Sequence, residues 1–208
     1  MADVARALGR QVAGFVQPGR IEPEPPGPDA SRAAISLLGT LDDLQPAGAS
    51  DEDVEFVIAL GANAPRRQAF DRCLELGWTP AALVHPSAIL LGGARVGAGS
   101  QVCAAAVIGV DAAIAADVIV NTAASIDHDG AIADHAFIGP GARLAGRVSV
   151  ETGAHIGIGA VVREGCTIGA WAYVAAGAVV VHDVADGVRV AGVPARPMER
   201  PVPEEENG

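Results

Sequence analysis

From Val84 to Val180 an aliphatic side chain recurs at every sixth position. The series runs Val84, Leu90, Val96, Val102, Ile108, Ile114, Val120, Ile126, Ile132, Ile138, Leu144, Val150, Ile156, Val162, Ile168, Val174 and Val180, which is 17 heads without a slip. Two residues before most heads stands a small side chain, as at Ala106, Ala112, Ala124, Ala136, Ala142, Ala154 and Ala160. A helix repeats near 3.6 residues and a strand near 2, and the residues between the heads follow neither period. A short flat strand and then a tight corner, every six residues, accounts for both series. The head points inward along each strand, and the small residue fits the crowded corner. Three such sides close a triangular coil of 18 residues. Coils of that kind stack at the ordinary inter-strand spacing of roughly 4.8 Å.

Upstream of about residue 80 the pattern is mixed. "ADVARALG" predicts a helix and "QVAGFV" a strand. "QPGRIEPEPPGPDA" is a proline-rich loop that sustains neither. "VEFVIALG" is an apolar run of strand length, and "APRRQAFDRCLELG" has helical spacing that stops at Gly77. Strand and helix in alternation predict a small α/β unit with a parallel sheet. The expected division is an α/β unit over 1–80, a β-helix over 81–198 and a flexible tail over 199–208.

Composition fits a tight repeat. Half the residues are hydrophobic but only 3% are aromatic, and there are 26 glycines. The net charge of −11 argues against nucleic acid, whose phosphates favour a basic surface. It leaves room for a small phosphorylated ligand held by a few placed arginines. Cys73, Cys103 and Cys166 form no CxxC pair and no zinc pattern, so buried thiols in a reducing cytoplasm are expected. No signal peptide or membrane span is expected.

The six-residue period resembles the left-handed parallel β-helix of the hexapeptide-repeat acyltransferases. Within that superfamily, "ISLLGTLDDL", "FVIALGANAPRR", "VHPSAIL", "VNTAASIDHDG", "LAGRVSV" and "VAGVPARPM" resemble the sugar acetyltransferases of the PglD/NeuD type. The resemblance implies a mainly β protein, a β-helix preceded by a small Rossmann-like α/β domain. It also implies acetyl-CoA as acyl donor, an amino sugar as acceptor, no metal, and a cytoplasmic homotrimer with sites in grooves between prisms.

"IDHDGA" supplies candidate chemistry: one imidazole between two carboxylates, in a stretch poor in acids. His128 is the third residue of its block and is expected to point outward. A neutral imidazole accepts a proton near pH 7, and a carboxylate on its other nitrogen fixes the tautomer. The resemblance implies His128 as catalytic base and Asp129 as its helper. Asp127, Asn121, His135 and Gly61 are candidate acceptor contacts. Gly146, Ile158, Ala176 and Phe137 are implied contacts of the donor; Phe137 stands where the family commonly has a histidine. Arg163, Arg196 and Arg200 are candidates for the donor's phosphates. His85 reads as structural, and His155 and His182 as surface residues. His128, His135 and His155 from neighbouring subunits stay open as zinc ligands, although their spacings do not resemble those of the β-helical carbonic anhydrases.

The chain departs from the family pattern at its start. Met1 falls inside the expected first helix, after the strand and Gly-rich turn that receive the nucleotide sugar. Gln17 and Pro18 stand where an acidic residue usually follows "VAGFV". O-acetylation of a hydroxyl and a non-catalytic trimeric scaffold are the alternative functions.

Overall fold

The computed structural model describes residues 5–6, 8–9, 11–12, 15–17, 37–48 and 54–198. Of the expected first helix only Ala5, Arg6, Leu8 and Gly9 are among these, the first two helical and the last two in a turn; the proline-rich loop beyond Gln17 and the tail over 199–208 lie outside them. β1 (Phe15–Gln17) pairs parallel with β2 (Leu37–Thr40), and β3 (Glu55–Phe56) pairs parallel with β4 (Thr79–Pro80). Between β3 and β4 runs α1 (Asn63–Glu75). It ends as the sequence predicts: Gly77 has φ +81° and its N–H donates to the Leu74 carbonyl. Glycine adopts that left-handed conformation without a Cβ penalty.

From Leu83 onward the chain is a parallel β-solenoid of two-residue strands, about six turns in all. Up to Val180 each strand pairs with the one 18 residues later, as Ile114 with Ile132, Ile126 with Leu144 and Ile138 with Ile156, and in the last coil the step shortens to 16, Val174 pairing with Val190. The strands form three faces. The first carries the heads Val102, Val120, Ile138, Ile156 and Val174, the second Ile108, Ile126, Leu144 and Val162, the third Ile114, Ile132, Val150 and Ile168. These heads fill the core, and the alanines two residues before them are wholly buried. Each buried aliphatic head contributes about 1.5–3 kcal/mol. Cys73, Cys103 and Cys166 are buried and free, as expected, and burial pushes all three thiols up.

The corners have a second rule, three residues after each head. Every sixth residue from Gly93 to Gly177 has φ between 52° and 77°. Many are glycines, but Asp117, Asp129, His135, Arg147 and Trp171 hold the same conformation. Such non-glycine residues cost roughly 1–2 kcal/mol each. From Ala105 onward each corner N–H is satisfied by the coil below, as when Arg147 donates to the His128 carbonyl at 2.9 Å.

The α/β unit lies along a flank of the solenoid, not only across its N-terminal end. Arg66 of α1 is fully buried against the edge between the third and first faces. Its Nε donates to Asp117 Oδ2 at 3.2 Å, and its other nitrogens reach the carbonyls of His135 and Ala136 and the Asn63 side chain. Asn63 in turn donates to the Gly153 carbonyl at 2.9 Å. Gln101, buried on the first face, donates to the Ile58 carbonyl at 2.7 Å. Burial raises the Asp117 carboxyl, opposed by His135 and Arg66, and lowers Arg66. The pair ties three coils to one helix.

Candidate active site

His128 stands on the edge where the second face turns into the third, one residue before a left-handed corner. Four contacts fix it. Asp127 Oδ1 accepts its backbone N–H at 2.7 Å, and its carbonyl accepts from Arg147. Its ring Nδ1 lies 2.8 Å from Asp129 Oδ2. Its Nε2 edge rests over Gly146, one coil up, where an added Cβ would fall 2.3 Å from Nε2. Asp129 therefore has two tasks: its backbone makes the corner (φ 56°), and its carboxylate meets the ring. The side chains are open to solvent, 47% exposed for His128 and 57% for Asp129.

With Nδ1–H given to a carboxylate, the Nε2 lone pair is free to accept a proton. The arrangement suits general-base catalysis on a partner arriving from outside the prism. Gly146→Ala is expected to leave the melting temperature unchanged, since the ring can swing aside from the new methyl. Turnover should fall by about 10²-fold, because a displacement near 1 Å disturbs an aligned base that much. A thiol-release assay beside thermal melting checks both halves.

The other sequence candidates lie elsewhere on the prism. Ile158 and Ala176 are stacked one coil apart on the edge between the first and second faces, both exposed, Ile158 at 58%. Asn121 approaches the same edge and accepts from the Thr122 N–H at 2.7 Å. His135 occupies the third edge, 12% exposed, with Nδ1 2.9 Å from Asp117 Oδ2 and its ring edge-on to Phe70. Gly61 sits in the exposed turn before α1, with open space where a Cβ would be. Arg196 is exposed on the last strand pair, and Arg200 lies outside the described residues. One prism thus brings His128, Asp127, Asp129 and Gly146 together and leaves Ile158, Ala176 and His135 on other edges. No group of three or more His, Cys, Asp or Glu suited to a metal occurs among the described residues.

His155 lies on the outward row of the first face but is half-buried there, less open than the sequence suggested. It is sandwiched on the first face between Phe137 (centroids 4.6 Å apart) and Tyr173 (4.8 Å). Burial, with Arg66 and Arg189 nearby, lowers its pKa to about 4. The 18-residue spacing of Phe137, His155 and Tyr173 was the available signal, since a triangular coil must stack such residues. The ring is neutral in the fold at pH 7, and an unfolded histidine protonates near 6.5. Stability is therefore expected to fall as pH drops from about 6.5 to about 4, by at most about 3 kcal/mol, and to level off below. His155→Phe should flatten that limb of a denaturation series against pH. His85 keeps a local structural role, its Nδ1 2.8 Å from Ser87 Oγ. His182 is exposed.

Comparison with known proteins settles the family. No family model and no curated protein matches the chain. Among solved structures, the acetyltransferase domain of PglB from Neisseria gonorrhoeae, in complex with acetyl coenzyme A, is 34% identical with a TM-score of 0.81. That match covers 95% of this chain and 92% of the other. The chain belongs to the hexapeptide-repeat sugar acetyltransferases. A histidine-to-asparagine variant of perosamine N-acetyltransferase from Caulobacter crescentus, in complex with CoA and GDP-perosamine, is 31% identical. It has a TM-score of 0.81 over 95% of this chain and 90% of that one. WeeI from Acinetobacter baumannii is 29% identical, with a TM-score of 0.67 over 68% of this chain and 69% of the other. The acyltransferase fold expected from the hexapeptide period is thus the observed one, a β-solenoid with an α/β unit before it. No helix among the described residues is long and apolar enough to cross a membrane.

Proposed function

We propose that this protein transfers an acetyl group from acetyl-CoA to the amine of a nucleotide-linked amino sugar, with His128 as general base. The observation that carries the reading is the His128–Asp129 pair over Gly146: a solvent-facing imidazole whose tautomer is set and whose free nitrogen meets a glycine-lined recess. PglB and perosamine N-acetyltransferase, crystallised with acetyl coenzyme A and with CoA and GDP-perosamine, support the choice of donor and acceptor.

In this mechanism Nε2 of His128 takes a proton from the amine as its lone pair adds to the thioester carbonyl. The tetrahedral adduct collapses with departure of the CoA thiolate, a good leaving group, and the proton on the ring is available to it. Asp129 stabilises the imidazolium formed in between. Asp127, whose Oδ1 holds the His128 N–H, retains a second oxygen for the acceptor. Residues 1–80 hold the acceptor through Gly61, aided by Asn121 and His135 of the β-helix, and residues 81–198 hold the donor, with Phe137, Gly146, Ile158 and Ala176.

A single prism divides these residues among its edges, so a groove formed with a second copy completes the site. The exposed Leu91 and Val161 and the half-buried Val107 and Ala145 of the second face, and the small residues Gly97, Ala113, Ala131 and Ala133 of the third, give two shallow surfaces of about 260 and 500 Å³ suited to such contacts. Closed three-fold packing of triangular prisms gives the homotrimer. A reducing cytoplasm suits three free cysteines.

The test is thiol release from acetyl-CoA over a panel of nucleotide-linked amino sugars and their hydroxy analogues. Release with an amino sugar nucleotide is the expected outcome. Release with hydroxy analogues alone makes the protein an O-acetyltransferase. Unaltered melting at saturating CoA leaves only a scaffold.

A further inference from the structure

The outward row of the first face carries no carboxylate and ends in a guanidinium. Read up the stack it runs Phe137, His155, Tyr173 and Arg189, each paired with the next. The Arg189 guanidinium lies on the Tyr173 ring, its Cζ 4.5 Å from the centroid. That separation continues the 4.6 and 4.8 Å steps below it. In a chain of net charge −11, Arg189 has no carboxylate within ion-pair distance among the described residues. Its Nε is buried and has no hydrogen-bond partner. A guanidinium held flat on a ring still presents its N–H edge, and that edge is shaped for two phosphate oxygens.

We propose that Arg189 is the diphosphate anchor of the acyl donor; the assignment rests on the acetyl-transfer reading. Three strand steps separate Phe137 from Arg189, roughly 14 Å. That is about the reach of four extended residues, and a pantetheine arm is of that length. A CoA thioester with its diphosphate at Arg189 lays its arm along the edges of Tyr173 and His155 and brings its acyl end level with Phe137. Phe137 follows His128 by half a coil, on the opposite side of the prism, so the base that meets this acyl end is the His128 of a second copy. A nucleotide sugar also carries a diphosphate; the α/β unit docks through Gln101, Arg66 and Asn63, with Arg67 over Trp171, and Arg189 lies one coil above these contacts, so GDP is the control ligand.

Calorimetric titration of the full chain with CoA, 3′-dephospho-CoA, pantetheine and GDP tests this. Arg189→Ala is expected to weaken CoA and dephospho-CoA alike by about tenfold or more, and to leave pantetheine and GDP unchanged. Arg189→Lys, which keeps the charge, should recover part of the loss; a purely structural role for the Tyr173 contact would show no such rescue. Unchanged CoA affinity in Arg189→Ala, an equal loss for pantetheine, or a loss confined to GDP each overturns the assignment. If the unaltered protein binds no CoA, the acetyl-transfer reading falls with it. If it binds CoA and Arg189→Ala binds equally well, only the anchor falls.

Discussion

His128→Ala is expected to lower thiol release by about 10²–10⁴-fold while CoA binds as tightly as before. The range is what one placed proton acceptor contributes; positioning of amine and thioester, which the variant keeps, supplies the remainder. The fold should be indifferent. His128 is an exposed corner residue, its backbone bonds run through N–H and C=O, and alanine makes both. Asp129→Asn is the companion variant. It keeps an acceptor oxygen for the ring Nδ1–H but loses the charge that steadies an imidazolium, so turnover should fall by less. Turnover in His128→Ala within about threefold of the unaltered protein, well below that range, would remove the imidazole from its role. Loss of CoA binding in the same variant would make it a ligand contact instead.

Arg66→Ala should cost about 3–5 kcal/mol of stability, the usual penalty for stripping the partner from a buried charge. Asp117 has no exposed surface, and its Oδ1 already lacks a partner. Without Arg66 the carboxylate keeps only His135, the His135 carbonyl loses its donor, and the Ala136 carbonyl keeps only the Ile119 N–H. Denaturant unfolding reads the loss directly. The double variant Arg66→Met with Asp117→Asn should recover part of it, because no charge is left stranded and asparagine keeps the left-handed corner. If Arg66→Ala alone were neutral, the guanidinium would not be what holds α1 to the solenoid. Activity in surviving Arg66→Ala protein also bears on the acceptor unit, since α1 begins two residues after Gly61.

The aliphatic heads made the solenoid legible because a closed coil of fixed length leaves one inward position per side. The same arithmetic put His128 outside, where it is. The second corner rule was hidden, because Asp129, His135, Arg147 and Trp171 tolerate a conformation that glycine advertises. "APRRQ" showed two arginines on a helix, but nothing local says that Arg66 is buried and Arg67 exposed; the distant Asp117 decides it. His155 was misread for a related reason. A lone polar residue on a strand looks solvated until the rings 18 residues to either side are placed on it. "VEFVIALG" formed only the short β3, and its later residues pair with no strand among the described residues.

Because every rung has the same height, the solenoid is a ruler graduated in strand spacings. Phe137 and Arg189 mark two of its divisions, and nothing between them can stretch by part of a step. A donor with a longer or shorter arm could be accommodated only by adding or deleting a whole turn, so such a protein would tune its reach in jumps.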